Sequence, residues 1–400
     1  MKSRAVLLAV FALLPFFRVR GAAADERLLI PSVAFRQEYT DNLYFTARDP
    51  MDDFIAIVSP ALELSEKTER LDASLKAQLD HRRYFDNSDL NSTDQRYSGD
   101  LRYSLQPRLG LFGSATYQRD SSADRDLTET GLVQSVASRS SHQYRLGGDY
   151  ALAELASLNL AYSFADVAYD ATPTSDYTYQ NLSCTLSRDL GTLLPLTVGR
   201  VNLAAGRYDG SGVQVENRSA TVGAERKLDE RFSIFANLGG RHTTTTLNRF
   251  RLQLPATLVP YEQTNRGWGM TGDAGFSFRG EVSQAALSLS RSVEPASGRN
   301  GTTERTALRG TVRRQLSERN WLEFAADYIT NKSDGDEFAA SAINEETLRC
   351  EPKMHYALTD QVAAEAAYVY TEVRDRESDS QRHRSLVWLR LVWRSPYAGW

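Results

Sequence analysis

Apolar and polar residues alternate along many segments of this chain. In residues 71–79 every second residue is apolar, and the residues between them are polar or charged. The same spacing returns in residues 101–105, 109–117, 158–164, 232–238, 322–328, 362–370 and 387–393. A period of two predicts β-strands that each carry one apolar and one polar face. The pattern therefore predicts an all-β protein.

The connections between these segments alternate in length. Short connections fall at residues 65–70, 106–108, 153–154, 228–231, 279–281, 317–320 and 359–361. Long polar connections fall at residues 87–95, 120–141, 244–266, 294–303, 332–341 and 374–382. Short periplasmic turns that alternate with long extracellular loops are typical of outer-membrane barrels. We therefore expect a transmembrane, antiparallel up-and-down β-barrel, with lipid on its apolar face and water on its polar face.

The alternating segments predict about eighteen strands, and sixteen is the alternative count. The predicted strands are 29–39, 53–65, 70–85, 96–106, 109–119, 142–152, 156–169, 177–190, 196–208, 217–228, 231–243, 267–278, 282–292, 304–316, 321–331, 344–358, 362–373 and 383–394. An even count places both termini in the periplasm. Pro60 and Pro352 fall inside strands, which predicts β-bulges there or strand boundaries that are misplaced.

Aromatic residues concentrate at the ends of the predicted strands, as expected of the rings that border the apolar band of a membrane barrel. At the long-loop end they are Tyr84, Phe85, Tyr97, Tyr117, Tyr162, Phe164, Tyr177, Tyr179, Tyr208, Trp268, Tyr328, Tyr368 and Tyr370. At the short-turn end they are Tyr103, Phe232, Trp321, Tyr356 and Trp393. This distribution favours a membrane barrel over a soluble β-sandwich.

The first 24 residues have the layout of a cleaved secretory signal. A basic start at residues 1–4 precedes an apolar run at residues 5–17 and small residues at 22–24, which is the usual order in such signals. The run is too short to cross a bilayer as a helix. We therefore expect one barrel domain over residues 25–400, located in the outer membrane.

Composition excludes several classes of protein. The formal net charge is −4 and becomes more negative without the basic signal, so no nucleic-acid surface is expected. The two cysteines, Cys184 and Cys350, stand at apolar positions of their strands, which predicts that they act as small hydrophobic residues rather than as a disulfide framework. After the signal there is no apolar run long enough for a membrane helix.

The segment 38–75 resembles the opening of a family of outer-membrane β-barrel porins from Gram-negative bacteria. The likeness is strongest in the short motifs Thr40-Asp41-Asn42-Leu43-Tyr44, Val58-Ser59-Pro60 and Thr68-Glu69-Arg70-Leu71. The resemblance implies an outer-membrane barrel, associated in some members with exopolysaccharide production and export, and it offers no catalytic motif to transfer. For Asp41-Asn42 we expect a turn at the first surface loop, and a ligand site is the alternative.

The sequence carries no recognisable catalytic, cofactor or metal motif. The five histidines, at positions 81, 142, 242, 355 and 383, are isolated in sequence and lack metal-ligand spacing. Outer-membrane proteases and phospholipases do place separated Ser, His and acidic residues near a barrel rim, but nothing here marks such a set. We predict that the protein is not an enzyme and has no cofactor.

Charged residues of both signs lie on the polar face of the predicted strands. The candidate pore-lining residues are Lys76, Arg309, Asp327, Arg313, Arg349, Glu351, Lys353 and Arg390. Cross-strand ion pairs that stiffen the wall are one interpretation. A transverse field that selects polar or anionic solutes is the other, and both can hold together.

The connector 241–268 contains apolar residues that would be poorly placed on a fully solvated loop. Folding into the lumen would bring Arg249 and Arg251 to a constriction. An outward hairpin is the alternative, because the apolar residues at positions 250, 252 and 254 keep the strand period.

Two functions fit the predicted barrel. The first is a channel for polar solutes, with a polysaccharide or its fragments as one class of solute, because sixteen to eighteen strands leave a water-filled interior. The second is a structural sleeve or docking barrel for another envelope complex, such as an export machine or an electron-transfer protein. The expected partners are outer-membrane lipid, lipopolysaccharide and the barrel-assembly machinery.

Overall fold

The computed structural model describes residues 26–121, 138–170, 174–253, 257–296, 299–335, 337–339, 341–395 and 397–398. Eighteen long strands make up the fold: β1 Glu26–Thr40, β2 Asp53–Lys67, β3 Leu71–Tyr84, β4 Ser92–Gln106, β5 Leu109–Asp120, β6 Arg139–Ala153, β7 Ala156–Tyr169, β8 Tyr177–Asp189, β9 Thr197–Gly210, β10 Val213–Lys227, β11 Phe232–Gln253, β12 Thr257–Arg279, β13 Ser283–Pro295, β14 Thr302–Gln315, β15 Asn320–Ser333, β16 Ile343–Ala357, β17 Val362–Asp375 and β18 Ser380–Arg394. A two-residue strand, β19 Tyr397–Ala398, pairs with β1, and a short 3₁₀ helix spans Ser88–Leu90.

Every neighbouring pair of long strands is antiparallel, and β1 pairs with both β2 and β18, so the sheet closes into an up-and-down barrel. Each predicted strand has its counterpart, which confirms eighteen and makes the alternative of sixteen wrong. The largest boundary difference is in β11 and β12, which have 22 and 23 residues. The predicted signal, residues 1–24, lies outside the described residues.

The β-bulges predicted at Pro60 and Pro352 are not found. The ladder between β2 and β3 skips residues 59 and 60 and resumes in the same register, and the ladder between β16 and β17 does the same at residues 351 and 352. A proline lacks only its own N–H and has a backbone angle that suits a strand. The strand that contains the proline therefore loses backbone pairing to one neighbour and keeps its register. Register shifts occur instead beside two turns, at Ser104/Gln106 and Ala151/Ala153.

The two faces of the sheet differ as the alternation predicts. Large exposed apolar side chains point outward from every part of the barrel wall, and Val387, Leu389, Leu391 and Trp393 of β18 are examples. The polar face is the concave one, because its side chains reach strands that are not neighbours. Arg382 of β18, for instance, contacts Glu345 of β16 at 3.8 Å across β17. No helix within the described ranges is long and apolar enough to cross a membrane.

Some of the expected border aromatics point into the barrel instead of toward lipid. Outward pairs include Tyr97 with Tyr117, with ring centres 5.9 Å apart, and Phe232 with Phe278 at 4.8 Å. The aromatic side chains that point into the barrel lie on the polar face of their strands, and they are Tyr84, Tyr177, Tyr179, Tyr208 and Trp321. Position at a strand end does not define the face, because adjacent residues such as Tyr84 and Phe85 point in opposite directions.

Candidate functional site: the wall and mouth of the lumen

One side of the inner wall carries a network of paired charges across β14, β15 and β16. Asp327 lies between Arg309, at 3.6 Å, and Arg349, at 3.8 Å. Arg349 also contacts Glu351 at 2.6 Å. These four predicted residues therefore come together as alternating charges on adjacent strands.

Two further predicted residues surround a tryptophan on the same wall. The guanidinium of Arg313 lies 4.1 Å from the ring centre of Trp321, and the Lys353 ammonium lies 5.3 Å from it. Lys353 also pairs with Glu323 at 2.9 Å. Cations near an aromatic face are attracted by its quadrupole, so Trp321 orders both side chains. Trp321 also lines a cavity at the short-turn end of the barrel together with Gln284, Arg313 and His355.

Of the remaining two predicted wall residues, Arg390 reaches this group through Glu365 and His355, whereas Lys76 lies on the distant strand β3. Arg390 contacts Glu365 at 3.5 Å, and Glu365 also accepts a contact from His355 at 3.2 Å. Lys76 is on β3, opposite Glu63 of β2 and Ser98 of β4. The wall is thus of mixed charge, and most of its predicted cations have a carboxylate partner.

The mouth of the lumen at the long-loop end is narrowed by residues 41–52, the first loop. The side chain of Phe45 is 1% exposed and packs on Val373 of the inner wall. Phe45 has a left-handed backbone, with φ 53°, which costs about 1–2 kcal/mol in a non-glycine residue. Burial of the ring offsets this strain, so the loop is held inward by side-chain packing.

Asn42 fixes the start of this first loop. Its side-chain amide donates to the backbone oxygens of Thr46, at 2.8 Å, and His383, at 2.9 Å, while its Oδ1 accepts from the Thr46 N–H at 2.9 Å. Asp41 accepts from the Ser385 N–H at 2.7 Å. The Asp41-Asn42 pair is therefore a structural turn, and it ties the first loop to β18.

A cluster of three arginines that is not among the predicted site residues lies behind the first loop, and Arg384 is its buried member. Arg36 contacts Glu38 at 2.6 Å, and Arg82 contacts Asp94 at 2.6 Å. Arg384 lies 5.4 Å from the ring centre of Phe45. The alternation puts all three arginines on the polar face of their strands, so strand register was the available signal.

Two more loops fold inward at the same end. Gly301, at the tip of β13–β14, reaches Tyr208 of β9, whose hydroxyl accepts from the Gly301 N–H at 3.1 Å. Phe338 and Ala339, in the connection 334–342 between β15 and β16, contact this tip, and the Thr302 N–H donates to the Phe338 oxygen at 2.8 Å. A Cβ at Gly301 would lie 2.5 Å from the Ala339 Cα, so only glycine fits between the two loops.

Residues 334–342 also bring a carboxylate into the mouth. Partial burial raises the pKa of Glu337 above its usual value, and a backbone hydrogen bond with Asp334 partly opposes this shift. The negative charges of Asp334 and Glu304 also raise the pKa, while the positive charge of Arg241 lowers it. The Phe338 ring lies 4.9 Å from the Arg241 guanidinium of β11. The position of this loop is therefore coupled to the charges around Glu337.

For the segment with Arg249 and Arg251, the structure has the outward hairpin, one of the two arrangements that the sequence left open. Arg249 is paired with Tyr261 and Arg251 with Val259 in a continuous β11–β12 ladder. Neighbouring β10 stops at Val213, opposite Leu247, so both arginines lie beyond the barrel rim. Regular backbone pairing up to Gln253 and from Thr257 satisfies the described part of the hairpin.

Within the described ranges, no group of three or more His, Cys, Asp or Glu side chains is placed to hold a metal ion. His355 is stacked on Trp321 with ring centres 4.9 Å apart and contacts Glu365. The His81 ring contacts the Thr93 hydroxyl at 3.1 Å. Each of these histidines is thus part of the barrel wall.

Comparison with known proteins agrees with this architecture. A family model described as "Putative beta-barrel porin 2" matches residues 15–181. The resemblance at residues 38–75 falls inside that match and is confirmed. Comparison with curated protein sequences gives no match.

Among solved structures, the chain is similar to the alcaligin outer-membrane receptor FauA from Bordetella pertussis, with 12% identity, a TM-score of 0.44 and coverage of 91% of this chain and 76% of FauA. The ferric citrate transporter FecA has 10% identity and a TM-score of 0.48, over 90% of this chain and 61% of FecA. OpdK from Pseudomonas aeruginosa, solved with vanillate, has 9% identity and a TM-score of 0.46, over 92% and 99%. With its closed barrel and the family match over residues 15–181, the chain is a porin-like β-barrel of the outer membrane.

Proposed function

We propose that the protein is an outer-membrane channel for polar solutes, with a mouth narrowed by inward-folded loops. The observation that carries this proposal is the charged inner wall, on which Arg309, Asp327 and Arg349 form a continuous network. Charged side chains are costly to bury without water or partners. A wall of this kind suits a water-filled lumen.

The finer proposal is that the solute is a polysaccharide or its fragments. The sequence resemblance to exopolysaccharide-associated barrels supports it. The pairing of wall charges supports it as well, because paired carboxylates and guanidiniums still hydrogen-bond hydroxyl groups but present little net charge. Such a wall favours neutral, hydroxyl-rich solutes over ions of one sign.

The predicted pore-lining residues would determine which solutes the channel selects. Lys76, Arg313, Lys353 and Arg390, with the Arg309–Asp327–Arg349–Glu351 network, would form the solute-facing wall. The sleeve alternative fits the mouth less well. Phe45 of the first loop packs on Val373 of the inner wall, and Ala339 packs on Ala296 and Ile343 at the mouth, in the space that a threaded protein would need.

Planar-bilayer recordings of the purified protein test the channel. We expect stepwise ion currents with weak ion selectivity, and brief blockages when neutral oligosaccharides are added. Asp327→Asn should increase anion preference, because it leaves Arg309 and Arg349 without their shared carboxylate. Glu346→Gln, at an ion pair on the outer face, is the matched control. Absence of stepwise current would overturn the channel, and current without sugar blockage would overturn the polysaccharide.

A further inference from the structure

The barrel wall has a seam between β12 and β13. These strands pair only from Gly272 opposite Arg291 to Arg279 opposite Gln284. In contrast, β13 continues to pair with β14 up to Pro295. Residues 292–295 of β13 therefore have no ladder to β12, a length of about 13 Å at about 3.3 Å per residue.

The seam arises because the two adjacent hairpins bend apart. The β11–β12 hairpin continues outward beyond the rim, whereas the tip of β13–β14 turns into the lumen and reaches Tyr208. At the end of the ladder the Thr271 hydroxyl donates to the Arg291 oxygen at 2.8 Å. Above this contact the wall has no backbone hydrogen bonds to hold it shut.

Side-chain charges close the seam instead. The Glu304 carboxylate of β14 accepts from both Arg241 of β11 and Arg291 of β13. The Arg241 side chain is 3% exposed and the Arg291 side chain is 50% exposed. Glu304 thus joins an inner arginine to an outer one through the seam. We call these three side chains the latch.

The two sides of the seam have different polarity. Outside, Trp268 and Met270 of β12 are 83% and 67% exposed and share the face of β12 that carries Phe276 and Phe278. Inside, β12 presents glycines, and the Arg241 side chain lies across Gly269. A Cβ at Gly267 would meet only Glu337, at 4.0 Å. The seam therefore connects an apolar outer surface with open polar space in the lumen.

We infer that the β12–β13 seam is a lateral gate for a single-chain amphiphile with an anionic headgroup. The headgroup, a carboxylate or phosphate, would replace the Glu304 carboxylate between Arg241 and Arg291, since both anions suit guanidinium donors. The alkyl chain would lie along Trp268 and Met270. The inference depends on the proposed channel in one respect, because the water-filled lumen is one end of the lateral route.

A photoactivatable dodecyl phosphate, with a diazirine in its chain, tests the gate in reconstituted full-length protein. Labelled residues are mapped by mass spectrometry. We expect labelling at residues 268–270 and, behind the seam, at residues 337–339. Glu304→Gln should increase the inner labelling several-fold, because the headgroup no longer competes with a carboxylate. Glu346→Gln, which removes the carboxylate of the Arg376 pair on the outer face, should leave it unchanged.

A cross-link across the seam separates lateral entry from entry through the mouth. In a Cys184→Ser, Cys350→Ser background, Met270→Cys and Val293→Cys continue the β12–β13 register and are joined by a bifunctional thiol reagent. Inner labelling should be lost, while outward labelling at Leu389 remains. The control cross-link joins Leu289→Cys and Leu308→Cys, which face each other in a complete ladder.

Three results overturn the gate: no inner labelling in either the wild type or Glu304→Gln, inner labelling that persists after the seam is cross-linked, or equal labelling by a dodecyl trimethylammonium probe of the same length. Ion currents are recorded from the same preparations. Currents without inner labelling would refute the gate and leave the channel standing. Loss of current in every preparation would refute the channel itself.

Discussion

The first loop and the β11–β12 hairpin emerge at the same end of the barrel but take opposite directions. The first loop turns inward and buries Phe45 at 1% exposure, whereas the hairpin extends outward and leaves Phe250 at 69% exposure. Both segments carry apolar residues. Apolar content therefore does not decide which connection enters the lumen.

Backbone pairing explains the difference. In the hairpin, Arg249 to Gln253 stay in the β11–β12 ladder, so the backbone groups are satisfied without tertiary contacts. The first loop has no ladder, and its backbone needs other partners, which the Asn42 side chain provides. Buried or bent backbone without regular pairing must find such partners. A connection thus enters the lumen when its hydrogen bonds are completed on the inner wall.

Replacement of the two phenylalanines should give the largest contrast. Phe45→Ala removes a buried ring, which costs about 3–5 kcal/mol in protein cores, and should release the first loop and raise single-channel conductance. Phe250→Ala removes an exposed ring and should change neither conductance nor the thermal unfolding midpoint. Equal effects of the two substitutions would show that the first loop is not held by Phe45.

Asn42→Ala tests the hydrogen bonds of the same loop. It leaves the Thr46 N–H and the oxygens of Thr46 and His383 without their partner, at a cost of about 1–3 kcal/mol for a buried group. We expect a smaller rise in conductance than for Phe45→Ala. The control is Asn248→Ala, at an exposed hairpin position. Unchanged currents in Asn42→Ala would mean that ring burial alone holds the loop.

The strand pattern was predictable because alternation is a local property of the sequence. Each apolar run that flanked a short turn appears as a strand, and the faces of residues 71–79 follow directly from the period of two. The inward loops were not predictable in this way. Phe45, Gly301 and Phe338 are held by residues far along the chain, on β17, β9 and β11. Pairing within the network of Arg309, Asp327 and Arg349 was foreseeable once register was known, but the Glu304 latch depends on two hairpins bending apart.

Channel conductance should also depend on pH, with a smaller effect than the substitutions above. This dependence distinguishes the loop that carries Glu337 from the first loop. Burial raises the pKa of Glu337, so the folded-in loop binds a proton more tightly than a released loop. The folded-in position is favoured at low pH and is lost as pH rises from the usual carboxyl pKa of about 4.3 through the raised value. Conductance should therefore increase over that window, and Glu337→Gln should abolish the increase. Asp334, Glu304 and Arg241 also face this group, and an unchanged pH profile in Glu337→Gln would show that Glu337 does not control the position of this loop.

Shortening the hairpin should have the smallest effect on the pore. Asn248 and Glu262 face each other in the β11–β12 ladder, so residues 249–261 can be replaced by Asn-Gly, a pair that favours a tight two-residue turn. The replacement removes Arg249 and Arg251 but keeps the register of both strands below them. Because these arginines lie beyond the rim, we expect unchanged conductance and an unchanged ratio of anion to cation permeability. A larger current with weaker anion preference would instead place the two arginines on the permeation path, and the contrast between an inward first loop and an outward hairpin would then fail.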